Sequence, residues 1–166
     1  MKIAIYPGSF DPVTLGHLNI IRRAANAFDK VIVCVLVNSG KHGVFTPEER
    51  VELLRRSIKM DNVEVDMYSG LLANYAKKKG ARVLVKGLRA VSDFESEVQM
   101  SIVNNKLNAQ LDTVFFPSSQ KYSYLSSTVA KELARYNAKL EDVLPREIIE
   151  DVRRKMEEKR GACDGK

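Results

Sequence analysis

Six places in this 166-residue chain carry residue types suited to holding phosphate: Ser9, His17, Lys41, Lys86, Arg89 and the hydroxyl run Ser126-Ser127-Thr128. Cations and hydroxyls bind phosphate oxygens, and an imidazole N–H can donate to an oxygen on which charge is building. Each of these groups follows closely on a short apolar run: Ile3 to Tyr6, Val31 to Val37, Val83 to Val85, and Thr113 to Phe116. Such runs read as buried strands. Ligands of open α/β sheets bind beyond the carboxyl ends of the strands, so the spacing implies one cleft that handles phosphate.

The elements that must position these groups are legible in order. Residues 3 to 28 read as strand, tight loop and helix. Pro7-Gly8-Ser9-Phe10-Asp11-Pro12 breaks the regular structure, and from about Thr14 the residues Leu18, Ile21, Ala24, Ala25 and Phe28 recur at helical spacing. The loop and the first helical turn offer unpaired amides and the positive end of the helix dipole, a natural anion site. Gly16 and His17 sit in that turn. The second strand, Val31 to Val37, is apolar throughout, as for a strand buried on both faces, and ends in a polar loop bearing Lys41. Spacing alone reads Lys41 equally well as an ordinary loop lysine.

Thr46-Pro47-Glu48-Glu49 starts a helix with a cap, Pro at the first position and Glu three residues after the cap. Val63 to Met67 is a third strand, and Leu71 to Lys79 a helix ending at Gly80. Leu72 lies at its start, within reach of a ligand, although its spacing is that of a core residue. The fourth strand runs into Lys86-Gly87-Leu88-Arg89-Ala90. Ser92-Asp93-Phe94-Glu95 then resembles a capping pattern for a helix reaching about Leu107, with Glu97 in its early turns. After the fifth strand, Tyr122 to Thr128 precede a helix over Val129 to Tyr136. Three hydroxyls there exceed the single one that N-capping requires. A last helix spans about Arg146 to Arg160.

This alternation implies an α/β, Rossmann-like, doubly wound five-stranded parallel sheet flanked by helices. The expected organisation is one domain over 1–160 with a frayed tail at 161–166. The net charge of +6, from 27 basic and 21 acidic residues, favours anionic partners. No aromatic–basic interleaving suggests nucleic acid, and no apolar run approaches a membrane span. Met1-Lys2-Ile3 leads straight into a strand, so the expected compartment is the cytoplasm. Two cysteines, Cys34 in a core strand and Cys163 near the end, give neither metal spacing nor an expected disulfide. Neither GxGxxG nor GxxxxGK[ST] follows any strand, which excludes the dehydrogenase and P-loop readings.

Gly8-Ser9-Phe10-Asp11-Pro12 with Thr14-Leu15-Gly16-His17 resembles the (T/H)xGH signature of the nucleotidyltransferase superfamily. Lys86-Gly87-Leu88-Arg89-Ala90-Val91 with Asp93-Phe94-Glu95 resembles the RGLR block of bacterial phosphopantetheine adenylyltransferases, and Tyr122 to Thr128 their ISSTxxR-type block. The likeness covers about residues 2 to 145. It implies transfer of the adenylyl group of ATP to 4′-phosphopantetheine, giving dephospho-coenzyme A and pyrophosphate. It also implies His17, Lys41 and Arg89 as the catalytic set. Implied at ATP are Ser9, Phe10, His17, Gly87, Leu88, Arg89, Glu97, Tyr122, Ser123, Tyr124, Leu125, Ser126, Ser127 and Thr128. Ser9, Lys41, Leu72 and Lys86 are implied at phosphopantetheine. Mg²⁺ as cofactor, coenzyme A as feedback ligand and a homohexamer complete the implied picture, with no protein ligand to the metal assigned. Ser9 stands where Thr is common, Lys86 where Arg is common, and Leu125 and Lys131 replace Ile and Arg. Another adenylyl- or cytidylyltransferase of the superfamily, and a non-catalytic nucleotide or nucleic-acid binder, are the competing readings.

Overall fold

The structure, a computed structural model, describes all residues except 38, 39, 41, 42, 165 and 166, and the side chains of the described residues apart from 92 and 162–164. Five parallel strands form one sheet in the order β3-β2-β1-β4-β5. They are β1 (Ile3–Gly8), β2 (Lys30–Leu36), β3 (Val63–Tyr68), β4 (Val83–Leu88) and β5 (Asp112–Pro117). The helices are α1 (Leu15–Ala27), α2 (Pro47–Ser57), α3 (Leu72–Lys79), α4 (Val91–Leu107), α5 (Ser127–Arg135) and α6 (Ile149–Asp164). Chain order reverses between β1 and β4, so the topological switch point, where ligands bind in this architecture, lies at their carboxyl ends.

The continuous apolar runs are apolar because each face of the sheet has its own core. Ala4, Tyr6, Val31, Val33, Val35 and Val85 pack with side chains of α1, α2, α5 and α6. Ile5, Ile32, Cys34 and Leu84 pack on the opposite face with Ala73, Tyr75 and Ala76 of α3. Cys34 is a buried thiol, as expected. Thr46 and Glu49 form the anticipated capping box at α2, with Thr46 Oγ1 accepting from Glu49 N at 3.2 Å and Glu49 Oε2 from Thr46 N at 2.7 Å. Gly80 ends α3 at a φ of 65°, in the left-handed region.

Several boundaries differ from the sequence reading. Pro7 and Gly8 do not break β1 but extend it, paired with Cys34 and Val35 of β2. Likewise Lys86, Gly87 and Leu88 belong to β4, held by β5. The β1–β4 register stops at Ile5↔Leu84. Beyond it the two strands part, and the parting opens the space above the switch point. The cap of α4 is Ala90, whose methyl side chain can make no cap bond, and the Asp93 carboxylate accepts from the Arg89 amide instead. α5 starts two residues earlier than expected, because Ser126 is its N-cap. A 3-10 turn over Arg146–Ile148 precedes α6, which runs on to Asp164 rather than ending near Arg160. The position of Lys41 lies outside the described residues.

Candidate active site

A cavity of about 430 Å³ occupies the switch point, within the range of small-molecule sites. Its walls bring together most of the residues singled out in the sequence. From β1 and its loop come Ser9 and Phe10, from α1 His17, from β4 and the following turn Lys86, Gly87 and Arg89, from α4 Glu97, and from the segment entering α5 Tyr122, Leu125, Ser126, Ser127 and Thr128. Leu88, Ser123 and Tyr124 do not line it, and Tyr124 is 59% exposed. Leu72 is also absent from the wall. It packs on the Ile5–Cys34 core, the role its spacing suggested.

His17 is fixed by its own helix cap. Nδ1 accepts from the Thr14 amide at 3.0 Å and also lies 3.0 Å from Thr14 Oγ1, while His17 N donates to that hydroxyl at 3.4 Å. An Nδ1 that accepts leaves the ring proton on Nε2. Burial, and then the Arg89 guanidinium, lower the His17 pKa from 6.5 to about 4. The ring at neutral pH is therefore an uncharged Nε2–H donor.

The ring is buttressed by a short aromatic column. Phe10 meets His17 edge-on with centroids 5.1 Å apart, and Tyr6 meets Phe10 the same way at 5.4 Å. Phe10 has a φ of 47°, unusual for a bulky side chain. Its ring, 1% exposed, sits where a Cβ on Gly8 would come within 2.9 Å of Cζ. Gly8 is thus required by the ring packed against it.

The cations of the cavity are held by α4. Lys86 Nζ lies 3.0 Å from Glu97 Oε2. The contact is an ion pair without hydrogen-bond direction, since that buried oxygen accepts no hydrogen bond. Arg89 donates Nε to Asp93 Oδ2 at 3.2 Å and Nη1 to the Leu125 carbonyl at 3.4 Å. Two of the three hydroxyls at α5 serve local structure: Ser126 Oγ accepts from Val129 N at 3.1 Å, and Ser127 Oγ donates to the Pro12 carbonyl at 2.8 Å. Thr128 is exposed at the cavity wall.

Sequence reasoning took Tyr6 as a strand residue, passed over Ile20 and gave Asp93 only a capping role, yet all three line the cavity. Burial pushes the Tyr6 phenol far up, against the pull of Arg89, so it too is a neutral donor. Among the described residues no three His, Cys, Asp or Glu side chains cluster as a metal site. The arrangement can bind a polyphosphate and donate to its oxygens.

Residues 5–133 match the cytidylyltransferase-like family. The chain is 50% identical over 161 residues to the phosphopantetheine adenylyltransferase of Clostridium botulinum (strain Hall), covering 96% of this chain and 98% of that protein. It is 47% identical over 162 residues to that of Clostridium perfringens, covering 97% and 99%. This chain belongs to the phosphopantetheine adenylyltransferase family. Among solved structures, a bifunctional NMN adenylyltransferase/ADP ribose pyrophosphatase from Francisella tularensis superposes with a TM-score of 0.70 at 14% identity, over 94% of this chain and 50% of that one. A lipopolysaccharide core biosynthesis protein from Thermoplasma volcanium does so at 0.52 and 20%, over 72% and 97%. These two show a shared fold. The chain is accordingly a nucleotidyltransferase enzyme, and the readings as a non-catalytic binder fall away.

Proposed function

We propose that the chain transfers the adenylyl group of ATP to 4′-phosphopantetheine, releasing pyrophosphate and forming dephospho-coenzyme A. The observation that carries the geometric side of this reading is the neutral His17 Nε2–H facing a cavity shared with Lys86 and Arg89. A phosphate oxygen of phosphopantetheine attacks the α-phosphorus of ATP, and the bond to the β-phosphate oxygen breaks in line. No proton transfer is required of the protein, so positioning and charge stabilisation carry the reaction.

His17 donates to an oxygen on the α-phosphorus as charge gathers there. Arg89, with Ser9, the amide end of α5 and Thr128, holds the polyphosphate. Lys86 meets the acceptor phosphate by exchanging Glu97 for it, and the family resemblance assigns Lys41 to the same substrate. Gly87, together with Tyr122 and Leu125, accommodates the adenosine. Mg²⁺ would take most of its oxygens from the substrate phosphates and water, because the cavity carboxylates Asp93 and Glu97 are already paired with Arg89 and Lys86. When bound, it neutralises the polyphosphate.

The same reading makes the chain a cytoplasmic homohexamer. No described helix is long and apolar enough to cross a membrane. Val91, Phe94, Met100, Ile102, Val103 and Leu107 of α4 and Val114 of β5 are exposed, Val91 to 83%, an apolar surface that self-association would cover. Coenzyme A, which contains both halves of the product, is the expected feedback ligand. Pyrophosphate release from ATP that depends on 4′-phosphopantetheine tests the activity, and its absence with both present would remove it.

A further inference from the structure

Asp11 belongs to the loop that carries Ser9 and Phe10, yet it does not line the cavity. It is 6% exposed and accepts hydrogen bonds from Val44 N at 3.0 Å and Phe45 N at 2.9 Å. Arg50 Nε of α2 lies 3.3 Å from Oδ1, and Lys131 Nζ of α5 lies 3.2 Å from Oδ2. Burial alone would raise its pKa, but the Phe45 and Val44 amides with Lys131 and Arg50 outweigh that and keep the carboxyl below its ordinary range. Arg50 also donates Nε to the Phe45 carbonyl at 2.8 Å and Nη1 to the Ser9 carbonyl at 3.4 Å. The packing around this group is close. A Cβ on Gly43 would come within 1.8 Å of Arg50 Nη2 and 3.0 Å of Asp11 Oδ2.

A buried ion cluster is a weak source of stability, because apolar side chains of similar volume often serve as well. What it supplies here is direction. Asp11 joins the β1–α1 loop, segment 43–45, α2 and α5 at one point. Lys131 lies one turn beyond Thr128, so its bond to Asp11 fixes the amide end of α5 against the loop bearing Ser9. The Ser127–Pro12 bond supplies a second tie between the same two segments.

We propose that Asp11 is a positioning residue for adenylyl transfer, locking through Arg50 and Lys131 the Ser9 loop and the first turn of α5 into one frame for the bound polyphosphate. This rests on the function proposed above. Neither Asp11 nor Lys131 touches the cavity, so both act through the segments they join.

The experiment compares steady-state pyrophosphate release and thermal midpoints for the unsubstituted protein, Lys131→Gln, Lys131→Arg, Asp11→Asn and the Asp11→Asn/Lys131→Gln double variant. Lys131→Gln is expected to lower kcat by about ten- to a hundredfold with both KM values nearly unchanged, the signature of misplaced rather than missing contacts. Its folding should persist, because Arg50 and two amides still meet the carboxylate. Lys131→Arg should recover most of the loss. In the Asp11→Asn background the Lys131→Gln change should cost less than about twofold, since the two groups act as a unit. Turnover of Lys131→Gln within about twofold of the parent, losses that multiply in the double variant, or a loss confined to the KM of one substrate would each overturn the proposal. Should Asp11→Asn fail to fold, the Lys131→Gln and Lys131→Arg pair still decides. Lack of turnover in the unsubstituted protein overturns instead the functional reading beneath it.

Discussion

Replacing His17 with alanine separates the two tasks of the ring. The first is catalytic. The Nε2–H faces the reacting phosphorus in the proposed mechanism, and loss of one such preorganised donor costs about 3 kcal/mol of transition-state stabilisation, a hundredfold or more in kcat. The second is structural. Thr14 N loses its acceptor 3.0 Å away and Phe10 loses its edge-on partner, together worth roughly 1 to 3 kcal/mol of folding stability.

A pH dependence distinguishes this histidine from an ordinary one. Its pKa is about 4 in the folded chain against 6.5 as the ordinary value. Above 6.5 the ring is neutral in both states and contributes nothing to the pH slope. As pH falls from 6.5 towards 4, the unfolded chain takes up a proton that the native state refuses, and stability drops. The full loss approaches roughly 3 kcal/mol. Urea titrations at neutral pH and near pH 4.5 read it, and His17→Ala should flatten that part of the slope. Steady-state pyrophosphate release at neutral pH reads the catalytic part. Turnover near that of the parent in a folded His17→Ala protein, or a loss carried wholly by KM, would refute the reasoning.

Gly8→Ala should lower kcat with folding retained, because the new methyl displaces the Phe10 ring that supports His17; unchanged kcat would mean the column gives way elsewhere. Glu97→Gln frees Lys86 from its ion pair. It should tighten the KM for the phosphorylated acceptor by up to about fivefold at low salt, an effect that fades as salt rises. Thr46→Ala removes the cap that accepts from Glu49 N at 3.2 Å. It should cost about 1 kcal/mol in a urea titration and leave kcat untouched.

Much of this was legible because the local signals agreed with one another. Period-two and apolar strand runs alternated with helical spacing, the Thr46–Glu49 pattern capped its helix as read, and the cavity gathers Ser9, His17, Lys86 and Arg89 as the strand ends implied. Other features depend on neighbours in space. Pro7 and Gly8 look like a break but are held in β1 by β2. Tyr6 reads as one more apolar strand residue, and nothing in its spacing reveals that it lines the cavity. Asp11 looked like turn chemistry, whereas its partners come from positions 44, 45, 50 and 131. Leu72, offered to a ligand by resemblance, is half-buried and packs against the Ile5–Cys34 core outside the cavity wall.

The central claim is that the cavity between β1 and β4 joins ATP to a phosphorylated pantetheine. Its most direct measurement is pyrophosphate release by the purified chain with Mg²⁺ and either ATP or CTP, with and without 4′-phosphopantetheine. The account expects release only with ATP and phosphopantetheine together, accompanied by dephospho-coenzyme A in equal amount. Release with CTP instead, or with ATP at a rate indifferent to phosphopantetheine, would contradict it.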